Sequence, residues 1–166
     1  MRAVNIHNGH PGLRFDRRAT AALIHTLDAH PKKFLGGCPP GELSLAFLTD
    51  AGLARLHADF LADPAITDVI TFAGDPAHGL AGEICVSADA AVRQSRPPKG
   101  LGSSALKNHF SDELMLYIVH GWLHLAGYDD LAPREKRKMR AAETRALKLL
   151  RAAGCQPRFQ LGRAFK

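Results

Sequence analysis

Apolar positions along the chain fall into short runs whose period changes between two and about 3.6, the mark of strands interleaved with helices. A strand is expected near Ala3–His7, then a helix over about Arg17–Ala29, with Asp16 placed to cap it and Pro31 to stop it. Glu42–Leu48 alternates as a strand does. Thr49 or Asp50 then caps a helix whose Leu53, Leu56, Phe60 and Leu61 recur at helical spacing until Pro64 ends it. Two further strands, Val69–Phe72 and Glu83–Val86, flank a turn region of Gly, Pro, Asp and His. Ser87 and Asp89 suit the start of a short helix that Pro97 and Pro98 must end.

The next helix differs from these. It is expected from about Ser111, with Asp112 and Glu113 in the first turn at the positive end of the helix dipole. Its body, Leu114 to Val119, is apolar on every side, which places it at the centre of a core. Gly127 is positioned to end it, and Pro133 opens a last helix running to about Ala153 and closed by Gly154. The expected fold class is α/β, a small mixed four-stranded sheet packed with helices around that central helix. Residues 1–166 are read as one domain with a basic C-terminal helix and tail from Pro133.

Composition narrows the function. At 46% hydrophobic and 23% charged the chain is neither a disordered segment nor a fibrous one. The formal charge of +6 is unevenly placed: from Pro133 onward eleven Lys and Arg face two Glu, which leaves residues 1–132 net acidic. A polyanion, nucleic acid above all, is the partner such a segment suits. Cys38, Cys85 and Cys155 are too far apart for a Cys-x-x-Cys motif and fit a reducing compartment. The N-terminus has no signal-peptide apolar core. The longest apolar stretch, Leu114–Tyr128, is interrupted by His120 and His124 and falls short of the roughly 20 residues a membrane span needs. A cytoplasmic protein without a membrane partner is expected.

His120 and His124 are four apart, so a helix puts both imidazoles on one face, able to share one metal ion. With Asp130 the spacing becomes His-x3-His-x5-Asp, a nitrogen and oxygen set that suits one Zn2+ and leaves a fourth position open for chemistry. Asp129 can orient a histidine from behind the ligand shell, or accept a proton. His7, His10, His25, His30, His57, His78 and His109 lack ligand spacing, and Trp122 and Tyr128 read as packing residues. The Gly-rich loops fit neither a P-loop nor a dinucleotide fingerprint.

The run His120-Gly121-Trp122-Leu123-His124-Leu125-Ala126-Gly127-Tyr128-Asp129-Asp130 resembles the signature His-Gly-x-Leu-His-Leu-x-Gly-Tyr-Asp-His of the YbeY family, metal-dependent endoribonucleases of ribosomal RNA maturation. Thr67–Phe72 is similar to that family's Thr-Asp-Val-Leu-Ser-Phe strand and Gly82–Ser87 to its Gly-Asp-Ile-x-Ile-Ser strand, so the likeness spans roughly residues 43–150. The resemblance implies a YbeY-like fold and a zinc-dependent endoribonuclease of single-strand type. It further implies a role in ribosomal RNA maturation and ribosome quality control, with ribosomal RNA or ribosomal subunits as partners. Two positions depart from the family pattern. Asp130 stands where the family has its third metal histidine, and Leu61 stands where it carries an arginine. Any phosphate contact of that arginine would fall to Arg55, Arg93, Lys99 or Arg134.

The same ligand spacing occurs in metalloproteases, which makes a metallopeptidase the rival enzyme. That chemistry uses a Glu directly after the first histidine as general base. Position 121 is Gly, which offers no base and leaves room for another backbone or a substrate to approach. For RNA the expected catalytic set is His120, His124 and Asp129. The basic run Arg134, Lys136, Arg137 and Lys138, just after the ligand loop, is expected to contact the RNA backbone. A non-catalytic ribosome assembly factor with a structural metal is the third reading.

Overall fold

The computed structural model describes residues 1–61, 67–95 and 103–162. Pro64, Pro97, Pro98 and Lys99 lie outside the described residues, as does the side chain of Leu61. In chain order the regular elements are β1 (Val4–Asn8), β2 (Leu13–Phe15), α1 (Arg17–Asp28), β3 (Glu42–Leu48), α2 (Asp50–Leu61), β4 (Val69–Ala73), β5 (Leu80–Ser87), α3 (Ala88–Gln94), α4 (Ser103–Leu125), α5 (Pro133–Ala152) and β6 (Phe159–Leu161).

The four-stranded sheet has the order β1-β3-β5-β4, with β1, β3 and β5 parallel and β4 antiparallel to β5. This is the mixed sheet expected, and each parallel step is bridged by a helix, as a crossover requires. Register aligns Ile6, Leu45, Ile84 and Thr71 in one row across the sheet. The neighbouring row, His7, Ala46, Cys85 and Ile70, points to the opposite face. There Ala46, Ile70 and Cys85 pack with Leu53 of α2 in a minor core. The main core lies on the first face, where Leu114, Ile118, Val119, Trp122 and Leu123 of α4 are completely buried.

Local chemistry sets the helix ends. Asp16 accepts the N–H groups of Arg18 and Ala19, Thr49 Oγ1 that of Gly52, and Ser87 Oγ that of Ala90. Helix α4 corrects the expected start at Ser111 by beginning at Ser103. No Gly or Pro interrupts residues 103–111, so the helix runs back through them, and Asp112 and Glu113 stand inside it instead of in its first turn. Ser111 instead bonds both backbone groups of Phe159, fixing β6 to the helix.

At the other end Gly127 adopts φ +97°. Its N–H reaches the His124 carbonyl and that of Tyr128 the Leu123 carbonyl, a Schellman closure that turns the chain back beside the histidines. Trp122 sits edge-on to Phe34, and its indole N–H donates to Asp28 at 3.1 Å. Asp28 is paired in turn with Arg2 at 2.6 Å, so α4 is tied to α1 and the N-terminal segment. The antiparallel β2–β6 pair, with Phe15 opposite Phe159, was not predicted. Among the described residues no helix is long and apolar enough to cross a membrane.

Candidate metal centre

The last two turns of α4 and the loop that follows bring three ligand residues together. His120 Nε2 and His124 Nε2 lie 2.9 Å apart, and the two Asp130 oxygens stand 3.6 Å from the first and 3.7 Å from the second. Among the described residues this is the set of His, Cys, Asp and Glu side chains able to hold a metal ion. The separations bracket the roughly 3.3 Å kept by two ligands that each lie about 2.0 to 2.1 Å from a tetrahedral ion.

Hydrogen bonding on the far side of each ring supports the fit. His124 Nδ1 lies 3.0 Å from the Tyr128 carbonyl, which can only accept, so Nδ1 carries the proton. His120 Nδ1 lies 2.7 Å from Glu143 Oε1 and donates to that carboxylate. In neutral imidazoles both Nε2 lone pairs then converge on the same point as the Asp130 carboxylate. Acceptors facing acceptors in this way are the arrangement that holding a cation would require.

The two rings are not equivalent. Burial lowers the pKa of His120, but the Glu143 hydrogen bond and charge, with Asp130, outweigh it and leave it above the ordinary histidine value. His124 is pushed below that value by burial and by the facing charge of His120, because its own anchor is a neutral carbonyl.

The carboxylate behind the ligands is therefore Glu143, which the sequence reading missed, and not Asp129. Asp129 Oδ1 accepts the N–H groups of Asp130 at 2.7 Å and Leu131 at 3.2 Å, so it shapes the loop that presents Asp130. A signal for Glu143 was present: it adjoins the apolar stripe Met139, Ala142, Ala146 and Leu150 of α5, all buried, on a helix otherwise rich in exposed Lys and Arg.

The triad opens onto a cleft of about 700 Å³ that runs along β4, the edge strand of the sheet. Thr67, Asp68, Val69, Thr71 and Ala73 form one wall, with His57 of α2, while Leu125 and Leu131 stand beside the ligands. His57, which had no ligand spacing, thus belongs to the cleft. Among the described residues lining it there is no Lys or Arg. Arg93 is engaged by Asp50, and Arg55 and Arg134 are exposed outside the cleft lining. Arg134, Lys136, Arg137 and Lys138 are solvent-exposed, and Lys138 pairs with Glu135 on its own helix at 3.0 Å.

Gly121 serves packing between helix and sheet. A β-carbon there would stand 2.5 Å from Ile84 Cγ2 and 3.2 Å from Thr71 Oγ1, so what approaches is a side chain of the sheet. Position 121 faces the sheet instead of the ligand atoms.

Fold and site together define an α/β domain whose buried central helix carries a candidate metal triad at the edge of a mixed sheet. The chain belongs to the YbeY family: the family described as Endoribonuclease YbeY matches residues 6–151. A Chlamydia pneumoniae protein named Endoribonuclease YbeY is 40% identical over 115 residues, 66% of this chain and 70% of the relative. A Porphyromonas gingivalis protein of the same name is 35% identical over 111 residues, 67% of this chain and 68% of the relative. The solution structure of TM1509 from Thermotoga maritima shares the fold, with a TM-score of 0.53 over 98% of this chain and 99% of that one, at 20% identity.

Proposed function

We propose that this chain is an endoribonuclease that holds one zinc ion on His120, His124 and Asp130 and acts in ribosomal RNA maturation and ribosome quality control. The observation that carries the reading is the convergence of two histidine Nε2 atoms and a carboxylate, each Nδ1 already committed to an acceptor, in a chain of the YbeY family. Zinc bound there would supply Lewis-acid polarisation of a scissile phosphate oxygen.

The chain's own residues do the rest. Glu143 and the Tyr128 carbonyl keep both imidazoles turned toward the cleft. Asp129 holds the loop so that Asp130 completes the set, and Asp130 carries a negative charge where a third imidazole would be neutral. The exposed cations of α5 begin directly after that loop and supply the positive field an RNA backbone requires.

A metallopeptidase is disfavoured on geometry, since position 121, where its general base would stand, is packed against Ile84. Incubating the protein with RNA and with casein, each with and without a chelator, tests the reading. RNA cleavage that the chelator abolishes, with casein intact, is expected. Casein hydrolysis with RNA intact would favour the peptidase, and metal uptake without cleavage of either would favour an assembly factor.

A further inference from the structure

We propose that Glu143 is a positioning residue of the metal centre, fixing the tautomer and orientation of His120 from a separate helix. The inference deepens the metal-dependent reading and rests on it.

Glu143 lies in α5, whose Met139, Ala142, Ala146 and Leu150 are buried while its remaining surface is largely Lys and Arg. Its side chain is 18% exposed and that of His120 19%. A carboxylate this withdrawn from water requires a strong partner. The other acid of the helix, Glu135, pairs with Lys138. Among the described residues, the hydrogen-bond and ion-pair partner of Glu143 is His120, at 2.7 Å from Nδ1. A helix rich in cations thus leaves this carboxylate to an imidazole.

The consequence at His120 is specific. A carboxylate on Nδ1 holds the proton there and leaves Nε2 as a lone-pair donor. It also fixes the ring plane so that Nε2 faces His124 and Asp130. His124 is held by a main-chain carbonyl, which no substitution removes, so the two ligands differ in how they can be perturbed. Because Glu143 comes from α5, the site depends on how α4 and α5 pack as well as on the signature run.

The test is zinc affinity, measured by competition with a chromophoric chelator, alongside the thermal midpoint of each metal-free protein. Wild type is compared with Glu143→Ala, Glu143→Gln and the control Glu135→Gln. Glu143→Ala should weaken zinc binding about 10- to 100-fold. Glu143→Gln, whose amide oxygen still accepts from Nδ1 but carries no charge, should lose less, and Glu135→Gln should match wild type. Glu143→Ala binding as tightly as a zinc-competent wild type would overturn this inference alone. A lowered metal-free midpoint, with Ala and Gln variants equal in zinc affinity, would overturn it by making the contact one of folding. A wild type that takes up no zinc would overturn the metal reading, and this inference with it.

Discussion

Gly121 lies so close to Ile84 that any β-carbon on it would stand 2.5 Å from the isoleucine Cγ2. The helix that carries the histidines is thereby seated on the sheet one residue away from His120. Gly121→Ala should destabilise the fold, because overpacking costs about 1 to 3 kcal/mol against a gain of about 1 kcal/mol in helix propensity. Urea unfolding reads the balance. Combining it with Ile84→Ala should cost less than the two changes added together, as expected for residues in contact. A Gly121→Ala protein more stable than wild type would mean that propensity alone governs the position.

The adjacent aspartates have different tasks, and zinc affinity separates them. Asp130→Ala removes a ligand and should release the metal, whereas Asp130→His should keep it, since imidazole and carboxylate bind zinc at similar distances of about 2.0 to 2.2 Å. Asp129→Ala removes the bonds to the Asp130 and Leu131 N–H groups and should weaken binding only about 10-fold by loosening the loop. Loss of metal in Asp129→Ala together with retention in Asp130→Ala would reverse the assignment.

Where side chains carry their own local signal, the sequence was legible. Asp16, Ser87, Gly127 and Gly154 each end an element by chemistry confined to a few neighbours, and each was read correctly. His120, His124 and Asp130 were legible because one helical turn and one loop bring them together. Glu143 and His57 were not, because they reach the site through the packing of α5 on α4 and of α2 beside the sheet edge. The β2–β6 pair escaped for the same reason: its three-residue strands, Leu13–Phe15 and Phe159–Leu161, are too short for periodicity and meet only in the folded chain. The bonds from the Asp130 and Leu131 N–H groups to Asp129 were not legible either, because sequence adjacency to a ligand does not say which way a side chain turns.

The exposed cations after Pro133 make a prediction about salt. Each phosphate neutralised on a single strand contributes about −0.7 to the log-log dependence of RNA affinity on salt. Replacing Lys136, Arg137 and Lys138 with Ala should shallow the slope by up to about two, with Lys138 contributing least because it is paired with Glu135. An unchanged slope would remove this run from the RNA contact surface.

Asp50 offers a stability prediction away from the metal. Burial alone would raise its pKa, but hydrogen bonds from Arg93 and Ser87, with the Arg93 charge, hold it below its ordinary value. A depressed folded-state pKa adds stability that is present above the unfolded value, about 3.9, and lost as pH falls through the lower folded one. The stability gap between wild type and Asp50→Asn should therefore be full near pH 6 and shrink below about pH 4. A gap that widens in acid would contradict the ion pair.

The most direct measurement is cleavage of a single-stranded RNA by the purified protein as isolated, after its metal is stripped with a chelator, and after zinc is added back, with His124→Ala carried through the same steps. Cleavage by wild type that disappears with the metal and returns with zinc, and that zinc cannot restore to His124→Ala, is the predicted result. Cleavage indifferent to the chelator, or restored equally in His124→Ala, would contradict a catalytic metal on His120, His124 and Asp130.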